Sequence, residues 1–256
     1  VGSEMCIRDR ILTPQLAAQL SVPKTKRFAV MLGLNYADVT PYTIDFANLG
    51  ALAITGREGS GRHNFIRYAV QALRGGAPEQ VRLFVVDGIE KRLSCLRPEA
   101  EAYSVAAQDA PRLLCSMEEE LKLRYDALVA GEETLLERAP LLLLVLDGMD
   151  ALTAAGADAK GLNAYKNIIS KYRNLNVAIL ICGFENTNIP YSAPEIVKNL
   201  RDAKHFLFFD DVASMKIFDL PLAVQRAYKK PIEPGDCYYI RDNSFVKLKS
   251  VKCHER

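Results

Sequence analysis

The chain has little excess of either charge sign and no long hydrophobic run. Its 33 basic and 31 acidic residues leave a net charge of +2, which gives no electrostatic support for nucleic-acid binding. No apolar run approaches the ~18 residues of a membrane-spanning helix, so we expect this segment to make no membrane contact. Closely spaced cysteine pairs are also lacking. The six scattered cysteines indicate reduced thiols rather than disulfides or a zinc site.

Length and composition favour one large domain. A chain of 256 residues that is 49% hydrophobic can bury a sizeable core. Residues 1–10 look like a leader of non-native origin, and they lack the apolar core of a signal peptide. We predict a linker at 11–27 with a short helix over Thr13–Leu20, a single domain at 28–250 and a tail at 251–256.

Short apolar runs alternate with helical patterns from Leu49 onward. Strands are predicted at Phe28–Gly33, Tyr42–Phe46, Leu49–Thr55, Val81–Val86, Leu141–Leu146, Val177–Cys182 and His205–Phe209. Helices are predicted through Phe65–Leu73, from Asp109 to Leu128, over Gly161–Asn174 and over Ala193–Asp202. This order predicts an α/β fold with a doubly wound, mainly parallel sheet, which binds ligands at the carboxyl ends of its strands. A hairpin at Gly235–Leu248 adds peripheral antiparallel strands.

The long helix that begins at Asp109 has an apolar face and a charged face. Tyr125 falls on the predicted apolar face. We expect Glu118–Glu120, Lys122 and Arg124 to form a solvated face with no binding role.

Between a predicted strand and a predicted helix lies the sequence G-R-E-G-S-G-R-H. Its G-x-x-x-x-G spacing is typical of a loop that directs backbone amides and a helix N-terminus at phosphate groups. Arg62 and His63 stand where such loops carry Lys and Ser or Thr. We therefore predict a site for ATP or ADP formed by Gly56, Arg57, Glu58, Gly59, Ser60, Gly61, Arg62 and His63.

The side chains that would hold Mg²⁺ and activate water are incomplete. Asp147 follows the most apolar predicted strand, where a Mg²⁺ carboxylate is expected. His63 lacks the hard oxygen ligand that Mg²⁺ prefers, and the planar guanidinium of Arg62 does not replace a compact ammonium. Gly148 occupies the position after this aspartate, where many ATPases with a phosphate-binding loop carry glutamate. Asp150, one turn further on, is the remaining candidate for a catalytic base.

Each candidate also has a structural interpretation that involves no ligand. We expect His63 to be a surface histidine in the first helical turn and Asp147 to be a residue that ends a strand. Asp87, at the end of another strand, is predicted to be a turn or cap residue. Asn186 and Asn188 are placed to sense a terminal phosphate, but loop asparagines commonly make turns.

Several stretches resemble FtsK/SpoIIIE-type motor domains, in the same order, over about residues 28–249. They are F-A-V-M-L-G-L-N, E-Q-V-R-L-F-V-V-D, E-E-E-L-K-L-R-Y, the segment Ile196–Leu200 and P-G-D-C-Y-Y. The altered loop resembles in particular the C-terminal ATPase domains of the EssC/YukB/EccC family of type VII secretion. This resemblance implies a RecA/FtsK-like P-loop NTPase fold within a membrane-anchored protein, on the cytoplasmic side of a bacterial membrane.

The resemblance also implies partners and a loss of activity. The partners would be other ATPase domains of the same chain, a homo-hexamer of the full-length protein, and small helical-hairpin secretion substrates of the WXG type. Motor domains place a glutamine where this chain has Phe184, and an arginine near Met215. These departures point away from vigorous hydrolysis.

Three functions follow as hypotheses. The first is a degenerate nucleotide-binding module of a secretion motor, regulatory or substrate-docking, with little or no ATP hydrolysis. The second is a working ATPase in which Arg62 and Asp150 rescue turnover. The third is a DNA-translocating motor domain, which the balanced charge disfavours.

Overall fold

Ten strands and eight α-helices make up the described part of the chain. The computed structural model describes residues 12–20, 26–75, 77–184, 193, 195–202, 205–217, 220–242 and 244–253, so Asn186, Asn188 and the predicted leader lie outside it. The strands are β1 (Ala29–Asn35), β2 (Pro41–Asp45), β3 (Gly50–Gly56), β4 (Val81–Val86), β5 (Ala102–Ser104), β6 (Leu141–Asp147), β7 (Val177–Cys182), β8 (His205–Phe209), β9 (Asp236–Arg241) and β10 (Ser244–Ser250). The helices are α1 (Pro14–Leu20), α2 (Arg62–Arg74), α3 (Asp109–Val129), α4 (Leu135–Arg138), α5 (Met149–Ala157), α6 (Ala159–Ile169), α7 (Glu195–Lys198) and α8 (Leu222–Ala227).

All ten strands join one sheet in the order β2-β1-β10-β9-β8-β3-β7-β6-β4-β5. Neighbours from β8 to β5 pair in parallel, and the remaining pairs are antiparallel. The predicted α/β fold with a mainly parallel sheet and peripheral antiparallel strands is therefore confirmed. Strand β7 lies between β3 and β6, so the segments that follow these three strands meet at one edge of the sheet.

The central strands are buried because helices cover both faces of the sheet. Helix α2 packs on one face, and α3, α5 and α6 pack on the other. Every residue of β6 and β7 is buried, as expected for continuous apolar runs in a parallel sheet. On α2, the residues predicted to face the core are all buried: Phe65, Ile66, Ala69, Val70 and Leu73.

Helix α3 is rotated relative to the prediction. Arg124 is only 5% exposed, whereas Tyr125 is 36% exposed, so the prediction that Arg124 lies on a solvated face is wrong. The guanidinium donates to the carbonyls of Pro140 at 2.8 Å and Leu175 at 2.9 Å, and it pairs with Glu120 at 2.5 Å. The backbone before β6 and β7 thus supplies the acceptors that make burial of this charge tolerable. We call Arg124, Glu120 and the carbonyls of Pro140 and Leu175 the Arg124 clamp.

Some helical boundaries differ from the sequence pattern. The predicted helix over Gly161–Asn174 is α6 alone, and α5 before it was not predicted. The predicted Ala193–Asp202 helix is the short α7 followed by a 3₁₀ turn. Leu12 and Ala17 are buried in the core, so α1 packs against the domain. Among the helices described, none is both long enough and apolar enough to cross a membrane.

Candidate functional site

The glycine loop joins β3 to α2 at the carboxyl edge of the sheet. Gly59 and Gly61 have φ angles of +73° and +109°, which residues with a Cβ rarely adopt. Helix α2 begins at Arg62, and its N-cap residue, Gly61, has no side chain to cap the first amides. The amides of its first turn therefore remain available to an anion. The backbone of the loop fits a phosphate group.

The charged side chains of the glycine loop contact the loop backbone and neighbouring charged residues. Arg62 Nη1 donates to the carbonyl of Gly56 at 2.7 Å, so the guanidinium braces the loop from within. Glu58 pairs with Arg92. Arg57 is exposed, and its nearest carboxylate oxygens lie 3.8 Å away on the segment after β8. The loop is held at several points, and one donor of Arg62 is already in use.

His63 contacts Asp147 directly. The distance from His63 Nε2 to Asp147 Oδ2 is 3.0 Å, and the two side chains are 14% and 6% exposed. His63 lies in the first helical turn as predicted, but it is partly buried rather than on the surface, because its side chain contacts Asp147 at the end of β6. An imidazole stands where Mg²⁺ would need a hydroxyl, and Mg²⁺ prefers oxygen ligands in octahedral geometry. These residues do not fit a resident Mg²⁺.

Asp87 and Cys182 border the same contact. Asp87 Oδ2 accepts hydrogen bonds from the Leu93 amide at 3.0 Å and the Tyr103 hydroxyl at 2.6 Å, which agrees with the predicted turn role. Burial raises the pKa of the Asp87 carboxyl. Cys182 is the register partner of Asp147 on β7, and burial together with that nearby carboxylate raises the pKa of its thiol.

Two cavities of about 500 Å³ flank the loop. The first brings together the predicted residues Arg62, His63, Asp147 and Asp150, with Asp87 beside them. Asp150 is exposed in the first turn of α5. The second cavity lies beside Gly59–Gly61, Asn64, Gly235 and residues 250–253.

Asn64 ties α2 to the segment at 251–253. Its Nδ2 donates to the Val251 carbonyl at 2.7 Å, and its Oδ1 accepts from the Cys253 amide at 2.8 Å.

Phe184, at the position where motor domains are expected to carry glutamine, is 2% exposed. Its carbonyl accepts a hydrogen bond from the Thr55 hydroxyl at 3.2 Å. Neither the Asn64 bridge nor the position of Cys182 beside Asp147 was predicted, because each depends on a partner that is remote in sequence.

Buried polar atoms without a hydrogen-bond partner in the protein gather around the loop. Within the described residues they include Ser60 Oγ, Arg62 Nε, Asp87 Oδ1, Asp147 Oδ1 and Ser250 Oγ. Each belongs to the loop or to a residue lining one of the two cavities. Folded proteins pair most buried polar groups, so this concentration marks the edge where a ligand would supply the missing partners.

Known proteins were compared with the chain by sequence and by structure. No family model and no curated protein matches it. EssC (ATPases 2 and 3) from Geobacillus thermodenitrificans is similar, with a TM-score of 0.74, 18% identity, and coverage of 95% of this chain and 45% of that one. The cytoplasmic domain of EssC gives a TM-score of 0.69 and 19% identity, with coverage of 95% and 46%.

A further similar structure contains a bound peptide. It is Thermomonospora curvata EccC (ATPases 2 and 3) in complex with a signal sequence peptide, with a TM-score of 0.70, 15% identity and coverage of 96% and 44%. This chain thus spans less than half the length of each of these three structures. At such low identity the likeness concerns the fold. The chain shares the fold of the EssC and EccC ATPase domains, as the resemblance in its sequence implied.

Proposed function

We propose that this chain is a degenerate nucleotide-binding module of a type VII secretion motor, with a regulatory or substrate-docking role and little or no ATP hydrolysis. The contact of 3.0 Å between His63 and Asp147 carries the proposal. It joins the two positions that a working phosphate-loop ATPase uses for a Mg²⁺ hydroxyl and a Mg²⁺ carboxylate.

Retention of the nucleotide is supported by the backbone of the loop. Positive φ angles at Gly59 and Gly61 and the uncapped amino end of α2 suit the phosphates of ATP or ADP. The unpartnered Ser60 hydroxyl and Arg62 Nε lie at the same place. Hydrolysis needs more, because losing the metal hydroxyl and a positioned base removes several kcal/mol of transition-state stabilisation.

The secretion context rests on the fold shared with EssC and EccC. We propose that other ATPase domains of the same chain adjoin this one, that the full-length protein forms a hexamer, and that small WXG-type helical hairpins dock here. The peptide bound in the EccC structure motivates the docking part of the proposal. The site of action would be the cytoplasmic face of the bacterial membrane.

A second candidate is a slow but working ATPase. One observation favours it, since the exposed carboxylate of Asp150 lines the same cavity as Asp147 and His63. In that case Asp150 would act as the general base.

Binding of a fluorescent ATP analogue, with Mg²⁺ and with a chelator, tests the proposal alongside an assay of phosphate release. We expect saturable binding of equal affinity in both conditions, and no phosphate release above the blank. Gly61→Val should abolish binding, whereas Gly131→Val, at another positive φ with open space around it, should not. Absence of binding at millimolar nucleotide would refute nucleotide retention. Mg²⁺-dependent turnover that Asp150→Asn abolishes would establish the second candidate instead.

A further inference from the structure

Three potential metal ligands converge beneath the glycine loop. His63, Asp147 and Cys182 offer a nitrogen, an oxygen and a sulfur atom, all within 4.8 Å of one another. They come from the first turn of α2, the end of β6 and the end of β7. Because Asp147 and Cys182 are register partners, the sheet itself fixes two of the three positions.

A second observation points to a missing ligand. Asp147 as a whole residue is 5% exposed, and its Oδ1 has no N–H or O–H donor among the described residues. The Cys182 thiol, a weak donor, lies beside this carboxylate. A Cβ on Gly183 would overlap this oxygen and the amide nitrogen of Gly148, so glycine leaves room for the carboxylate. An unsatisfied buried carboxylate oxygen is costly, and a cation would supply the missing interaction.

From these observations we infer that His63, Asp147 and Cys182 form a binding site for a borderline-soft divalent ion such as Zn²⁺. Imidazole and thiolate select Zn²⁺ over Mg²⁺. Tetrahedral Zn²⁺ needs neighbouring ligand atoms about 3.3–3.8 Å apart, from bond lengths of about 2.0–2.3 Å, so small side-chain shifts suffice. His63 and Asp147 line the first cavity, which leaves the fourth position open to water or an anionic oxygen.

Metal binding changes the local proton positions. As the sulfur–metal bond forms, the thiol proton of Cys182 leaves to solvent. The ring proton of His63 resides on Nδ1, so that Nε2 donates its lone pair to the metal. The direct contact between His63 and Asp147 is then replaced by a bridge through the ion. The inference concerns the metal alone and holds whether or not nucleotide binds.

Titration of the full chain with Co²⁺ in the absence of nucleotide tests the site. One ion should bind and give a sulfur-to-cobalt charge-transfer band with the strong visible bands of tetrahedral Co²⁺, and Zn²⁺ should displace it. Cys182→Ala should remove the charge-transfer band and weaken Zn²⁺ binding at least tenfold. The matched control is Cys237→Ala, at another fully buried thiol, which should change neither.

His63→Gln separates a ligand from a structural residue. Glutamine can keep a hydrogen bond to Asp147, so a purely structural histidine would tolerate the change, whereas a ligand would lose at least tenfold in Zn²⁺ affinity. Unfolding curves verify that each variant folds, and if Cys182→Ala does not, the wild-type spectrum and His63→Gln decide. Lack of the charge-transfer band in the wild type, or unchanged Zn²⁺ affinity in His63→Gln, overturns the inference. Because nucleotide is absent, either result leaves the proposed function to its own test.

Discussion

Strands β6 and β7 carry a polar cluster at each end, and the two clusters differ in how fully their atoms are paired. At the amino ends, Arg124 donates to the carbonyls of Pro140 and Leu175 and pairs with Glu120. At the carboxyl ends, Asp147 keeps one buried oxygen that has no hydrogen-bond partner among the described residues. The same two strands therefore end in one polar group whose atoms are paired and in another whose atoms are paired only in part.

The Arg124 clamp should matter most to stability. Arg124→Met removes the only guanidinium donor that we find on these carbonyls among the described residues, so buried acceptors lose their partners. We expect a loss of about 3 kcal/mol in the free energy of unfolding, because each carbonyl acceptor left without a partner costs about 1–3 kcal/mol, while Glu120 remains paired with Arg82. Urea denaturation measures it, with the exposed Lys122→Met on the same helix as the control. A loss below about 1 kcal/mol would contradict the contrast between the two ends.

Substitution of Gly183, at the opposite end of β7, should give the next largest loss in the free energy of unfolding. Gly183→Ala places a Cβ against Asp147 Oδ1 and the Gly148 amide at a φ of +77°, so we expect a loss of about 2 kcal/mol from strain and overlap. Gly131→Ala has a φ of +101° and open space, so it reports backbone strain alone. Equal losses in thermal unfolding of the two variants would show that the carboxylate has room to move.

Restoring the usual loop side chains should bring back a preference for Mg²⁺. In the double variant Arg62→Lys with His63→Thr, a hydroxyl replaces the imidazole that contacts Asp147. We expect Mg²⁺ to tighten ATP binding about fivefold, or about 1 kcal/mol, whereas the unmodified chain should show no Mg²⁺ effect. The measurement is a nucleotide titration with and without Mg²⁺. The single variant Arg62→Lys is the control, and a Mg²⁺ effect of the same size in it would assign the preference to position 62 instead.

Asp87 should give the smallest effect, and one that depends on pH. Burial raises the pKa of its carboxyl above the ordinary 3.8, so the native state holds this proton more tightly than the unfolded state does. The protonated Asp87 carboxyl therefore contributes to stability below pH 3.8, and this contribution is lost as the pH rises through the raised pKa of Asp87. Asn at position 87 can still accept from Leu93 and Tyr103, so Asp87→Asn should gain stability relative to the unmodified chain across that window.

Tyr103→Phe provides the opposite perturbation at Asp87. The Tyr103 hydroxyl donates to the carboxylate and lowers its pKa, so removing it should extend the window to higher pH. Unfolding free energies measured from pH 3 to pH 8 would compare the two variants. Parallel pH profiles for both variants and the unmodified chain would show that Asp87 does not contribute to the pH dependence.

The parts of the fold that follow from local pattern were predicted well. The run L-L-L-L-V-L correctly predicted β6, and the apolar spacing from Phe65 to Leu73 correctly predicted the buried face of α2. The predicted exposure of Arg124 is wrong because a charged residue on a helix usually faces solvent. Here the carbonyls that accept its hydrogen bonds lie just before β6 and β7. Long-range contacts decided that residue, and a single sequence does not reveal them.

The candidate site divides in the same way. Glycine spacing revealed the loop, because positive φ angles at Gly59 and Gly61 are a local requirement. The burial of His63 and its contact with Asp147 depend on how α2 packs on the end of β6. Cys182 joins them only because β7 lies beside β6 in register. Spacing among the cysteines alone could not indicate this cluster.

The Asn64 bridge has a mechanical consequence. Two hydrogen bonds fasten Asn64, in the first turn of α2, to the backbone of Val251 and Cys253, and the Lys252 amide also binds the Leu12 carbonyl at 2.8 Å. Tension applied to residues 251–253 would therefore pull on α2, next to the glycine loop, as well as on β10, to which these residues are directly connected. A force exerted there would act on the helical turn whose amides form the amino end of α2.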